Sequence, residues 1–133
     1  MLVREVMTSP AVTVAAEVSL RDAIDLLDRH AITAMPVVDE AGRPVGVVSE
    51  ADLLREALGR NAHETVGEVM TCRVHTVSAD GDLTDAFAVM DGTAVKSLPV
   101  VLHGRVVGVL SRCDLVAALA RGDLDPTRSG VRA

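Results

Sequence analysis

Two serine and carboxylate pairs, Ser49 with Asp52 and Ser111 with Asp114, have the residue types and spacing for chemistry, and each follows an apolar, β-branched run. A carboxylate can accept both hydroxyls of a vicinal diol, and a helix N-terminus offers amide N–H groups and a positive dipole end to a phosphate. The same spacing also makes a capping box, in which the hydroxyl accepts from the N3 amide and the N3 carboxylate reaches back to the cap. Ser19 and Asp22 repeat that spacing at an earlier helix start with no second feature beside them. Spacing alone therefore establishes that helices begin at these points, and both uses stay open. Cys72-x-x-His75, with His63 and Cys113 elsewhere, supplies one close pair of metal-type ligands, whereas a structural zinc site wants four, so no metal site is expected. No base is placed to activate Cys72 or Cys113 as a nucleophile, so no catalytic residue is assigned and the chain reads as a non-enzyme with two free thiols.

Composition narrows the partners. The net charge is −6, the twelve arginines are scattered, and Lys96 is the single lysine. There is one Phe and neither Trp nor Tyr. A phosphate-tracking basic patch and base-stacking aromatics are both missing, which excludes nucleic acid as the expected partner. No apolar leader opens the sequence and no window approaches the roughly 18 apolar residues of a membrane span, so the expected location is cytoplasmic, away from membranes.

The elements that must position the pairs come as an internal repeat. Val3-Arg4-Glu5-Val6-Met7-Thr8 matches Val66-Gly67-Glu68-Val69-Met70-Thr71, and Pro36-Val37-Val38 matches Pro99-Val100-Val101, at an offset of 63. After Ala41 the offset is 62, so Gly46-Val47-Val48-Ser49 returns as Gly108-Val109-Leu110-Ser111. The change falls between two apolar runs where turn residues lie, as expected of a hairpin loop that absorbs a deletion while its strands keep register. Each half reads as an opening strand (Ala11 to Val14), a helix, a hairpin and a closing helix. Leu20, Ala23, Ile24 and Leu27 form the inward face of the first helix, and Leu83, Ala86, Phe87 and Met90 that of its counterpart. In the closing helices Leu53, Leu54 and Ala57, then Leu115, Val116 and Leu119, are placed inward. The organisation is residues 3–58, a short polar linker at 59–65, residues 66–120, and a frayed tail at 121–133.

With Val-Met-Thr opening each half, a central Pro-Val-Val and a closing Gly-Val-x-Ser-x-x-Asp, the paired repeat resembles the cystathionine-β-synthase (CBS) domain pair. The resemblance implies an α+β fold of two tandem β-α-β-β-α CBS repeats packed as a pseudo-two-fold pair. It also implies two clefts that in many members bind AMP, ADP, ATP or another adenosyl ligand, acting as a regulatory ligand without catalysis or a required cofactor. Asp52 and Asp114 would hold ribose, with Ser49 and Ser111 near phosphate. The Asp114 cleft would be lined by Thr8, Thr13, Ile32, Thr33 and Ala34, and the Asp52 cleft by Thr71, Thr76, Val95, Lys96 and Ser97. Glu50 would repel a phosphate where Arg112 would attract one, so the two sites are expected to differ. A homodimer and an unidentified regulated protein complete the expected partners. The competing readings are a ligand-free dimerisation or interaction module whose pairs are caps alone, and a metal or thiol sensor built on Cys72 and His75.

Overall fold

A computed structural model describes residues 1–59 and 62–123; the expected linker at 60 and 61 and the expected tail from 124 onward lie outside the described residues. The chain forms two compact units, each with a three-stranded sheet. One unit comprises Ala11–Val74 with Gly104–Val106 and contains Asp52. Its elements are β1 (Val14–Ala15), α1 (Leu20–His30), β2 (Ala34–Val38), β3 (Pro44–Ser49), α2 (Glu50–Leu58) and α3 (Val66–Val69), with sheet order β1-β2-β3. β1 runs parallel to β2, and β2 pairs antiparallel with β3, Met35 opposite Val48. The other unit comprises Met1–Pro10, His75–His103 and the chain from Val107, and contains Asp114. A 3-10 turn at Val3–Glu5 precedes β4 (Val77–Ser78), α4 (Leu83–Thr93), β5 (Ser97–Leu102), β6 (Arg105–Ser111) and α5 (Arg112–Ala120). The sheet order is β4-β5-β6, with β4 parallel to β5. This is the α+β fold of two tandem β-α-β-β-α repeats.

The sequence repeat and the compact units part company at their openings. The Val3 and Arg4 amides donate to the Gly81 and Ala79 carbonyls at 2.9 Å each, and Val3 is fully buried among Leu83, Met90, Leu98 and Leu110. In the same way the Val66 and Gly67 amides donate to the Val18 and Ala16 carbonyls at 2.9 and 2.8 Å, and Val66 is fully buried with Leu27, Met35 and Leu53. Each opening segment thus completes the sheet unit of the opposite sequence half. Burying one valine side chain favours that placement by roughly 1.5–3 kcal/mol.

Several expected core positions face outward. Phe87 is 43% exposed, Leu54 53% and Val116 64%; Ile24, Ala57 and Leu119 are exposed too. A helix resting on one sheet face covers a narrow stripe, so Ala23 and Leu27 on α1, Leu53 on α2, Ala86 and Met90 on α4, and Leu115 and Ala118 on α5 fill the interior. The opening strand is also shorter than the expected Ala11 to Val14, pairing only at Val14–Ala15. The hairpin loops carry the one-residue offset change and differ further because β5 and β6 are each one residue longer than β2 and β3. The first spans Asp39 to Arg43, while the second is the pair His103-Gly104, with φ of 52° and 78°, the left-handed geometry of a two-residue turn. Among the described residues no helix is long and apolar enough to cross a membrane.

Candidate functional site

Each closing strand ends in a serine whose backbone is still extended and whose side chain begins the next helix, so the two pairs sit where a sheet edge becomes a helix N-terminus. The Ser49 amide donates to Asp52 Oδ2 at 3.0 Å, the Asp52 amide donates to Ser49 Oγ at 3.2 Å, and the Ser49 hydroxyl donates to Asp52 Oδ2 at 2.9 Å. At the second junction the Ser111 amide donates to Asp114 Oδ2 at 2.8 Å and the Asp114 amide to Ser111 Oγ at 3.2 Å. Both are complete capping boxes. Capping occupies mainly Oδ2, so in each case the second carboxylate oxygen faces something else.

What it faces differs. Asp114 Oδ1 accepts the Thr8 hydroxyl at 2.8 Å, whereas Asp52 Oδ1 lies 3.5 Å from Arg55 Nη1, one turn along α2. Thr8 is held by a reciprocal bridge to Val109, with N···O distances of 2.9 and 3.0 Å, and Thr71 by the equivalent bridge to Val47 at 2.9 Å each. Both bridges depend on the glycine one position earlier. A Cβ on Gly108 would lie 2.7 Å from Met7 Sδ and 2.8 Å from the Thr8 carbonyl oxygen, and one on Gly46 2.5 Å from Met70 Sδ and 3.0 Å from the Thr71 carbonyl oxygen. The glycine of each Gly-Val-x-Ser motif is therefore a seat for an opening segment.

The remaining candidates fall around these junctions unit by unit. The Glu50 amide donates to the Thr33 carbonyl at 2.8 Å, which fixes Ile32, Thr33 and Ala34 beside the start of α2. The Arg112 amide donates to the Lys96 carbonyl at 3.0 Å, which fixes Val95, Lys96 and Ser97 beside the start of α5. Within each unit Lys96 therefore stands with Arg112 beside the Asp114 helix and Thr33 with Glu50 beside the Asp52 helix, where the resemblance set Lys96 in the Asp52 cleft and Thr33 in the Asp114 cleft; Arg112, Lys96 and Glu50 have exposed side chains. Thr13 and Thr76 each sit one residue before β1 and β4. A groove of about 430 Å3 beside α1 and α2, lined by Ile24, Leu27, Ile32, Thr33, Glu50 and Leu54 among others, does not include Ser49 or Asp52. Among the described residues no three His, Cys, Asp or Glu side chains gather as a metal site, and Cys72 and Cys113 are exposed free thiols.

Sequence reasoning passed over Gly46, Gly108, Arg55 and two helix-start glutamates. Glu5 accepts from the Leu2 amide at 2.6 Å, and Glu68 accepts from the Thr65 hydroxyl at 2.9 Å and the Thr65 amide at 3.1 Å. The Thr65 hydroxyl, followed by the Glu64 and Thr65 amides, holds the Glu68 carboxyl below its usual range. The signal for the glycines was their recurrence ahead of each serine, and for Arg55 its replacement by Ala117 in the second copy.

The CBS domain family model matches residues 3–59 and 66–121. Among curated relatives, the CBS domain-containing protein YhcV of Bacillus subtilis is 30% identical over 115 residues, 85% of this chain and 81% of that protein. An uncharacterised 17.7 kDa protein of Acidianus ambivalens is 29% identical over 118 residues, 88% of this chain and 72% of its own length. L-aspartate semialdehyde sulfurtransferase of Methanocaldococcus jannaschii is 31% identical over 115 residues, 86% of this chain, but the match spans only 22% of that protein's length. Among solved structures, the CBS domain pair of protein MJ0100 in complex with methylthioadenosine and S-adenosyl-L-methionine superposes with a TM-score of 0.81 at 28% identity, covering 93% of this chain and 98% of that one. CBSX2 of Arabidopsis thaliana in complex with AMP gives 0.80 at 30% identity, covering 92% and 98%. With both repeats matched by the family model and both capped Ser-x-x-Asp junctions in place, the chain belongs to the CBS-domain family and carries two CBS domains in tandem.

Proposed function

We propose that this CBS pair is a non-catalytic regulatory module that binds an adenosyl ligand, an adenine nucleotide or S-adenosylmethionine, at its Asp52 and Asp114 junctions. The observation that carries the reading is the Asp114 carboxylate, capped through Oδ2 and joined through Oδ1 to the Thr8 hydroxyl, at a helix N-terminus flanked by Arg112 and Lys96. The carboxylate suits a ribose diol, and the helix start with its cations suits a phosphate or carboxylate group. The complexes of MJ0100 and CBSX2 with adenosyl ligands support the ligand class. Binding acts by favouring whichever arrangement of the chain holds the ligand more tightly, and occupancy passes to the protein's own dimer or to a regulated partner.

A second reading, an assembly module, is favoured by one observation: the closing helices leave Leu58 83% exposed and Val116 largely exposed. The two are separated by a thermal-shift panel of AMP, ADP, ATP and S-adenosylmethionine. At 100 times Kd a ligand stabilises by about 2.7 kcal/mol, which raises Tm on the order of 10 °C for a chain of this size. Asp114→Asn should lower that rise, and Asp52→Asn with Asp114→Asn should abolish it. A flat response to all four ligands overturns the sensor reading and leaves assembly.

A further inference from the structure

We propose that Arg55 is a built-in competitor for the Asp52 carboxylate and makes Asp114 the preferred diol-binding position. The inference rests on the adenosyl-ligand reading above. A carboxylate offers about four lone-pair positions, and a guanidinium only donates, whereas a threonine hydroxyl that donates its one proton still accepts. At Asp52, Oδ2 takes the Ser49 amide and hydroxyl at 3.0 and 2.9 Å, and Oδ1 faces the Arg55 guanidinium at 3.5 Å. At Asp114, Oδ2 takes the Ser111 amide at 2.8 Å, and Oδ1 takes the Thr8 hydroxyl at 2.8 Å. A vicinal diol arrives as two O–H donors. Beside Asp114 it meets a carboxylate oxygen and a threonine oxygen able to accept; beside Asp52 it meets an oxygen already facing a cation that accepts nothing. Position 117, the counterpart of Arg55, is alanine, so the contrast is written into the two copies of one motif. Arg55 is 69% exposed at its side chain while Asp52 is 17% exposed, so the arginine can swing away and the carboxylate stays. The competition is therefore modest, the two- to five-fold scale of an exposed ion pair.

The test uses adenosine, whose lack of phosphate removes any attraction by Arg55, titrated calorimetrically into Asp114→Asn and into Asp114→Asn/Arg55→Gln, with circular dichroism confirming that both fold. The expected result is adenosine binding about two- to five-fold tighter in the double variant. Equal or weaker binding, or none in the double variant, overturns the proposal. The unmutated chain is the control that separates this failure from the other: if it binds neither adenosine nor AMP, the ligand reading falls and the competitor role falls with it.

Discussion

Asp114 and Thr8 are 106 positions apart in the chain, yet their 2.8 Å contact is, among the described residues, the one side-chain hydrogen bond that ties an opening segment to a capped carboxylate. Because Thr8 is exposed, losing that bond should cost the lower part of the usual 0.5–1.5 kcal/mol. Thr8→Val is thus expected to lower the urea midpoint slightly and to weaken ligand at Asp114, while Thr8→Ser restores both; a Thr8→Val protein with unchanged ligand affinity would remove the hydroxyl from the site. The glycines make a sharper pair. At both positions an added methyl meets a flexible methionine sulfur, but at Gly108 it also lies 2.8 Å from the Thr8 carbonyl oxygen, and backbone cannot step aside alone, against 3.0 Å from the Thr71 carbonyl oxygen at Gly46. Gly108→Ala should therefore cost about 1–3 kcal/mol and Gly46→Ala less, compared by denaturant unfolding. Caps such as Ser111 with Asp114 were legible in the sequence because both partners lie within one helical turn. Thr8 was set with Asp114 only through the CBS resemblance, since nothing local fixes which carboxylate a distant hydroxyl meets.

The helices end and the hairpin turns by local rules that each carry a measurable strain or charge. Ala31 and Ala94 close α1 and α4 with φ of 52° and 57°, a left-handed conformation that glycine adopts freely and alanine only at a cost of about 1–2 kcal/mol. Part of any gain from glycine is lost to its freer unfolded chain, so Ala31→Gly and Ala94→Gly should each stabilise by a net of about 0.5–1 kcal/mol, read as a rise in Tm. In the first hairpin the Arg43 amide chiefly, then the Arg43 guanidinium and the Ala41 amide, hold the Asp39 carboxyl below its usual value against a smaller opposing effect of burial. A depressed carboxylate contributes stability above its unfolded pKa and loses it as the pH falls through the folded one. Unfolding midpoints should thus fall below about pH 4 more steeply in the unmutated chain than in Asp39→Asn. Both turns were legible from their residues. The exchange of opening segments was not legible in the residue pattern, because Val-x-Glu-Val-Met-Thr occurs at 3–8 and at 66–71 and either copy could complete either sheet; only the CBS resemblance set Thr8 with Asp114 and Thr71 with Asp52.

At the scale of the whole molecule, apolar side chains left outside both units demand a cover. Ile24 on α1 with Leu54 and Leu58 on α2, and Phe87 on α4 with Val116 and Leu119 on α5, are the exposed large hydrophobics on the four long helices, repeated at matching elements of each unit. The helical period marked five of them, all but Leu58, as core because it finds an apolar face without saying what lies against it. Large apolar side chains exposed on neighbouring helices of a unit mark an interaction site, and a second copy of the chain offers the same residues in return. We expect a homodimer whose Tm rises with protein concentration. Charge placed at the most exposed positions, Leu58→Glu and Val116→Glu, should convert it to monomer in light scattering, with circular dichroism unchanged because neither side chain belongs to a core cluster. Since the hydrogen bonds described for Asp52 and Asp114 form without a second copy, those monomers should keep their adenosyl affinity within about two-fold. Asp114→Asn should in turn keep the dimer. A monomeric unmutated chain at every concentration would leave the helix faces to a different protein, and loss of binding on dissociation would show that the second copy completes the site.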